Sequence, residues 1–259
     1  MNTKIVRYIL CRMLGVEAAL LLVPVLVAVI YQEKCGIVFL IPIVILCLLF
    51  LVAGRKRPEH GQIYGKEGMV IVALAWILWS LFGAMPFTLS GYIPSYVDAF
   101  FETVSGFTTT GSSIIPDVEV LPHCLLFWRS FTHWIGGMGV LVFVLVVTSL
   151  DRKNSMHLMR AEVPGPEKDK LVPKAMSTAR ILYGMYLILT VIEMVFLVIG
   201  GMNLFDSMIF SFGSAGTGGF SNYADSVAHF NSAYIDGVIT VFLRIIWSQF
   251  CIVLFYDIG

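Results

Sequence analysis

The chain has 259 residues, of which 58% are hydrophobic and only 13% are charged, with a mean hydropathy of +0.86 and a formal net charge of +0. Soluble domains carry about 25% charged residues, and long apolar runs with few charges are typical of membrane spans. This composition excludes a single soluble core. It predicts an all-α integral membrane protein that crosses the bilayer several times in contact with lipid.

Apolar runs predict six full spans in chain order, at about residues 8–31, 36–54, 68–90, 121–149, 177–201 and 232–256. The first two are separated only by the segment QEKCG, so they form a helical hairpin within residues 1–57. The five cysteines show no CxxC spacing and most lie in or beside apolar runs, which favours small buried hydrophobic residues.

A polar linker divides the rest of the chain. Residues 151–176 are rich in proline and charge, and they separate a region at 66–150 from a region at 177–259. This linker is an ordinary inside loop or a docking site for a gating subunit.

The placement of charge predicts the orientation of the spans. Basic residues cluster before the first span, between the second and third, and in the linker, whereas the stretch between Lys66 and Arg129 has none. That stretch contains Asp98, Glu102, Asp117 and Glu119. Because cytoplasmic loops are enriched in Lys and Arg, the N-terminus is predicted to be cytoplasmic and the acidic stretch to lie outside.

Two apolar segments are too short to cross the bilayer: PSYVDAFFETVSGF at 94–107 and NLFDSMIFSFGSAG at 203–216. Each offers about a dozen helical residues, whereas a span takes about twenty. Each starts with a capping signal, because Ser95 stands three residues before Asp98 and Asn203 three before Asp206. Both run into polar Gly/Thr-rich stretches, which membranes tolerate only inside protein or along a cavity. The pattern predicts two re-entrant loops.

These segments repeat at an offset of 108 positions, with Asp98 on Asp206, Thr109 on Thr217 and Gly111 on Gly219. The flanking spans correspond as well. The chain is therefore predicted to hold two repeats of span, pore helix, filter loop and span after the N-terminal hairpin.

The two polar loops have the composition of a cation filter. Glycine permits backbone conformations that expose carbonyls, threonine adds a hydroxyl oxygen, and rings of carbonyls replace the hydration shell of an ion. The C-terminal end of each short helix carries partial negative charge, which favours a cation. Neither loop contains a basic residue, which argues against an anion pore. The alternative interpretation is that the glycines only permit close helix packing.

Three stretches, FFETVSGFTTTGSS, FWRSFTHWIGGMGVLVF and GSAGTGGFSNYADS, resemble the first two pore repeats of the Trk/Ktr family of bacterial potassium-uptake proteins. The resemblance covers about residues 5–242, and the extra hairpin favours the TrkH-like branch. It implies a potassium-selective pore in the bacterial cell membrane, usually a homodimer, with a cytoplasmic nucleotide-binding gating subunit. It implies no enzyme activity, no nucleic-acid partner and no cofactor beyond the transported K⁺. By position, the filter residues are Thr108, Thr109, Thr110, Gly111, Gly216, Thr217, Gly218 and Gly219.

The chain departs from the family pattern in one respect. Members of the family carry four repeats, and this sequence has two, with an atypical segment VFLRIIWSQFCIVLFYDIG at 241–259. A truncated product with a shifted reading frame near Leu243 is therefore expected. A non-conducting fragment or interaction subunit is the alternative to ion conduction, passive or coupled. A membrane enzyme is disfavoured, because the HExxH, GxSxG and Walker patterns are missing from the sequence.

Other polar residues have more ordinary interpretations. Glu102 and Arg129 are predicted to form a structural ion pair beside the filter. The segment HWIGGMG at 133–139 favours close helix packing, with a flexible point near the pore as the alternative. His123 and His133 lack a nearby third ligand, so a metal site is a weak hypothesis.

Overall fold

The computed structural model describes residues 3–55, 65–139 and 175–256, and every regular element in these ranges is helical. The predicted all-α class is confirmed. The α-helices are α1 Thr3–Leu20, α2 Leu22–Ile30, α3 Leu40–Leu49, α4 Gly65–Leu89, α5 Tyr96–Phe107, α6 His123–Gly137, α7 Ala175–Ile199, α8 Leu204–Ala215 and α9 Ala233–Tyr256. Short 3₁₀ segments lie at Lys34–Phe39, Val118–Val120 and Ser226–Phe230, and a π-helical turn lies at Phe50–Gly54.

Within the described ranges, four helical segments are long and apolar enough to cross a membrane: Thr3–Ile30, Lys34–Gly54, Glu67–Leu89 and Leu182–Ile199. They correspond to the predicted first, second, third and fifth spans. The helix α9 has 24 residues and corresponds to the sixth. The predicted fourth span at 121–149 begins with α6, which ends at Gly137, and its remaining part from residue 140 lies outside the described residues. So does the linker up to residue 174.

The first span is divided at Leu21, between α1 and α2. Pro24 lies in the first turn of α2 and has no backbone N–H to donate to the Leu20 carbonyl, which explains a break at this point. The hairpin closes tightly because Gly15 and Gly54 leave room for the Phe50 ring, which would lie 2.8 Å from a Cβ at either position.

The two repeats pack side by side through α6 and α8. Helix α5 lies between α4 and α6, and α8 lies between α7 and α9. At the interface between the repeats, the ring of Phe212 on α8 lies 5.6 Å from Phe127, 5.6 Å from Phe131 and 5.8 Å from Trp134 on α6. This aromatic cluster fixes α8, the pore helix of the second repeat, against α6 of the first repeat.

The turn of the N-terminal hairpin is fastened to the start of α6. The Glu33 carboxylate accepts hydrogen bonds from the backbone amides of His123 at 2.8 Å and Cys124 at 3.0 Å, and it lies 2.9 Å from His123 Nδ1. The Tyr31 ring stacks on His123 at 4.0 Å and meets Phe205 of α8 edge-on at 5.5 Å. The turn therefore contacts both repeats.

Candidate functional site: two re-entrant loops

Both pore helices begin with the predicted side-chain caps. The Ser95 hydroxyl accepts a hydrogen bond from the Asp98 amide at 3.3 Å, and the Asn203 side-chain oxygen accepts one from the Asp206 amide at 2.8 Å. These bonds satisfy amides that a helix start leaves free. Each helix therefore starts at the same position of its repeat and delivers its C-terminal end to the polar loop that follows.

The two loops follow the same backbone path at the offset of 108. Thr109 and Thr217 have φ angles of 55° and 58°, and Gly111 and Gly219 have φ angles of 77° and 80°. Non-glycine residues seldom adopt positive φ, so a matched pair of threonines marks a specific shared geometry. The backbone amides of both loops donate to equivalent carbonyls of their pore helices. The amides of Thr109 and Thr217 donate to the carbonyls of Gly106 and Ser214, and the amides of Thr110 and Gly218 donate to those of Ser105 and Gly213.

This hydrogen bonding determines which way the carbonyls of the second loop face. The amides of Thr217, Gly218 and Gly219 donate to the last turns of α8, and the amide of Phe220 donates to Nδ1 of His133 at 3.4 Å. None of the described peptide bonds is cis. A trans peptide holds its C=O opposite its N–H, so the carbonyls of residues 216–219 are turned away from the helix end and from His133. These four carbonyls therefore face the side of the loop opposite the end of α8, where the Gly218 carbonyl oxygen lies against Gly111 of the first loop.

The two loops lie against each other at their glycines. A Cβ at Gly111 would collide with the carbonyl oxygen of Gly218 and lie 3.0 Å from its carbonyl carbon. At Gly219, a Cβ would meet no atom of the described residues within 4 Å. Equivalent positions of the repeat thus have different surroundings, because the first loop is covered by the second at this point.

The glycine pair of HWIGGMG packs against both loops. A Cβ at Gly136 would lie 2.8 Å from the carbonyl carbon of Phe107, and one at Gly137 would lie 2.7 Å from Cα of Gly216. Close approach of α6 to both polar segments therefore requires glycine at both positions. This geometry favours the packing interpretation of the motif.

Two threonines of the first loop contact each other through their hydroxyl groups. The Thr108 hydroxyl donates to the Val104 carbonyl at 2.7 Å and lies 2.8 Å from the Thr110 hydroxyl. Thr108, Thr110 and Thr217 are exposed, whereas Gly216 is buried. The predicted filter residues are therefore brought together in two adjoining loops, with three of the four threonines accessible.

The predicted ion pair of Glu102 and Arg129 is present, with Arg129 Nε 2.6 Å from Glu102 Oε1 and both side chains at most 4% exposed. The pair does more than neutralise charge. Glu102 also accepts hydrogen bonds from the Ser113 hydroxyl at 3.0 Å and the Ile114 amide at 2.9 Å, beyond the first loop. These contacts tie the irregular segment that follows the first loop to its own pore helix.

Arg129 also reaches the second loop. Its Nη1 donates to the Ser221 carbonyl at 3.0 Å, and its guanidinium lies 3.5 Å from the centroid of the Phe220 ring. The planar guanidinium presents several donors at once, which suits a residue that bridges two partners. Arg129 thus joins both loops, a role that the sequence pattern did not predict.

A separate carboxylate holds the irregular segment that follows the second loop. Asp206 accepts hydrogen bonds from Asn222 at 2.5 Å, Tyr223 at 3.0 Å and Asn203 at 2.7 Å. Burial and the bond to Asp206 raise the pKa of Tyr223 to about 12, so its hydroxyl remains a donor at neutral pH. The sequence marked Asp206 only as a helix-start residue, and no local signal indicated its partners.

The two histidines of the weak metal hypothesis have other contacts. His123 pairs with Glu33, whereas His133 stacks on Phe220 with ring centroids 3.9 Å apart. In the described part of the chain, no group of three or more His, Cys, Asp or Glu residues could hold a metal ion.

The sequence family model described as TrkH, cation transport protein, matches residues 36–258. The chain belongs to the TrkH family. TrkH of Escherichia coli strain K12, a Trk system potassium uptake protein, is 37% identical over 228 residues, which cover 87% of this chain and 47% of that protein. The Trk system potassium uptake protein TrkG of the same strain is 35% identical over 242 residues, covering 91% of this chain and 50% of TrkG.

The fold agrees with that of a solved TrkH. The crystal structure of the potassium transporter TrkH from Vibrio parahaemolyticus matches with a TM-score of 0.79 and 31% identity, covering 95% of this chain and 50% of that chain. This TrkH-family chain therefore spans about half the length of the curated relatives it matches. Its relatives are membrane transporters, and its own apolar helices make it a membrane protein.

Proposed function

We propose that this chain supplies two adjoining quarters of a potassium-selective filter, formed by Thr108–Gly111 and Gly216–Gly219. The observation that carries the proposal is the shared backbone path of the two loops, with positive φ at Thr109, Thr217, Gly111 and Gly219. The carbonyls of residues 216–219 are turned away from the end of α8 and from His133. Backbone carbonyls can replace the water around a cation. Potassium is the ion that the names of the relatives indicate.

The charges around the loops suit a cation. Each loop follows the C-terminal end of a pore helix, where the partial charge is negative. Arg129, a buried arginine beside the loops, is neutralised by Glu102 and donates a hydrogen bond to the Ser221 carbonyl. In this proposal, the loops face the outside of a bacterial cell and the N-terminus lies in the cytoplasm. The basic linker is then available to a cytoplasmic gating subunit.

A complete ring needs more than two quarters, as the family resemblance implies. We propose that a second copy of the chain supplies the missing quarters, as a homodimer. The alternative is a chain that inserts and folds but does not conduct by itself, and the coverage of about half of each relative favours it.

The deciding experiment is rubidium uptake by cells that lack their own potassium-uptake systems and express this chain. The variant Gly111→Ser is compared with Gly91→Ser, since Gly91 has a φ of 80° but lies in the turn before α5, with no described atom within 4 Å of its Cβ. Both variants carry similar backbone strain, and only the first disturbs the filter. Membrane insertion of each variant is measured in parallel.

Uptake that is lost in Gly111→Ser and kept in Gly91→Ser is the expected result. An active Gly111→Ser variant with unchanged rubidium-over-sodium discrimination contradicts the filter assignment. Inserted wild-type chain without uptake favours the non-conducting alternative.

A further inference from the structure

The side chain of His133 fills the space directly behind the second loop. The residue lies on α6, is fully buried, and stacks its ring on Phe220 with an interplanar angle of 19°. A Cβ at Gly218 would overlap the imidazole, lying 2.6 Å from both ring nitrogens. The backbone of His133 abuts Gly216, where a Cβ would lie 2.8 Å from the His133 carbonyl carbon. One residue of the first repeat thus contacts most of the second loop.

The imidazole ring accepts one hydrogen bond from the backbone of the loop. Nδ1 of His133 accepts from the Phe220 amide at 3.4 Å, while the amides of the preceding three residues donate to α8. The end of α8 therefore fixes the orientation of the first three peptide planes. His133 fixes that of the fourth, between Gly219 and Phe220. Glycine at position 219 has no side chain to restrain that plane, and with its φ of 80° it has wide conformational freedom.

The protonation state of the ring follows from this contact. A neutral imidazole donates from one nitrogen and accepts at the other, so an acceptor at Nδ1 places the proton on Nε2. A charged ring would have no acceptor for the Phe220 amide.

We propose that His133 is a positioning residue for the filter: it holds the Phe220 amide and thereby directs the Gly219 carbonyl toward the ion. The proposal rests on the proposed filter function of the loop. Without the acceptor, the Gly219–Phe220 peptide is free to rotate, and a rotated peptide presents an N–H instead of a carbonyl to a cation. The expected consequence is a loss of discrimination between cations rather than a loss of folding.

The test compares His133→Asn with His133→Leu in the full chain. Both side chains branch at Cγ and have fewer heavy atoms than that of histidine, but only Asn has an acceptor oxygen close to the position of Nδ1. Phe242→Leu serves as a control for lost aromatic packing, since Phe242 on α9 is buried and its ring lies 5.9 Å from that of Phe196 on α7, outside the contact between α6 and α8. The first measurement is hydrogen exchange at the Phe220 amide of the detergent-solubilised protein. The second is the thermal stabilisation by KCl relative to NaCl at equal ionic strength.

In His133→Leu, we expect the Phe220 amide to exchange at least tenfold faster and the stabilisation by KCl over NaCl to disappear. His133→Asn should retain most of both properties, and Phe242→Leu should lower Tm without changing either. Unchanged exchange in His133→Leu overturns the proposal, and so does faster exchange with an unchanged potassium preference. A wild-type chain with no potassium preference overturns the proposed function instead. The exchange rates then still decide whether His133 holds the amide.

Discussion

At the scale of single residues, Gly111 and Gly219 occupy the same position of the repeat but differ in what surrounds them. Gly111→Ala would bring a methyl group onto the Gly218 carbonyl, in addition to the strain of its φ of 77°. Gly219→Ala carries only the strain of positive φ, about 1–2 kcal/mol. We expect a clearly larger drop in Tm for Gly111→Ala, measured by thermal unfolding in detergent. Equal drops would show that the loops do not lie against each other.

The buried pair of Glu102 and Arg129 leads to a second prediction. Removing one partner of a buried pair leaves an uncompensated charge and costs about 3–5 kcal/mol, whereas removing both costs less. Arg129→Met and Glu102→Gln should each destabilise the chain strongly, and the double variant should be more stable than the sum of both effects implies. A double-mutant cycle on the unfolding free energy measures this coupling. Additive effects would contradict a direct pair.

The variant Arg129→Lys separates the charge of Arg129 from its hydrogen bond to the Ser221 carbonyl. Lysine keeps the charge near Glu102 but lacks the planar fork that also reaches the Ser221 carbonyl. If Arg129 joins the two loops, Arg129→Lys should restore most of the stability lost in Arg129→Met while still allowing faster hydrogen exchange around Ser221.

At the scale of elements, both pore helices begin with a side-chain cap, but the cap of α8 makes more hydrogen bonds than the cap of α5. Ser95 makes a single exposed bond of 3.3 Å, whereas the Asn203 side chain both accepts from the Asp206 amide at 2.8 Å and donates to its carboxylate at 2.7 Å. Loss of a cap costs about 1 kcal/mol. Asn203→Ala should therefore lower Tm more than Ser95→Ala, and an equal effect would mean that the Asp206 network contributes nothing.

The elements themselves were largely predictable from the sequence, because their signals are local. The spans follow from apolar length, and the half-helices follow from their length and from a cap at Ser95 or Asn203. The break at Leu21 was missed although its cause, Pro24, is also local, because the whole segment reads as one apolar run. The contacts between repeats were not predictable. Arg129 with Ser221 and His133 with Phe220 join residues 92 and 87 positions apart, and only the packing of α6 against α8 brings them together.

At the scale of the whole molecule, the N-terminal hairpin is joined to the repeats on one side by Glu33. Burial of the Glu33 carboxyl raises its pKa, but hydrogen bonds from the Cys124 amide and from the side chain and amide of His123 outweigh burial, so the net pKa is lowered. A carboxyl group whose folded pKa lies below its unfolded value of about 4.3 contributes stability above that value. The contribution is lost as pH falls through the folded pKa.

Glu33→Gln keeps the size of the side chain and removes its charge, so the Tm difference between wild type and this variant isolates the contribution of the carboxylate. We expect the difference to be fully present at pH values well above about 4.3 and to shrink as the pH falls below that value. Lys34→Gln is the matched control, because it changes the adjacent charge without touching the start of α6. A difference that stays constant with pH would mean that a neutral amide caps α6 as well as the carboxylate does. The turn of the hairpin would then be held to α6 by the Tyr31 stack on His123 and by helix packing rather than by charge.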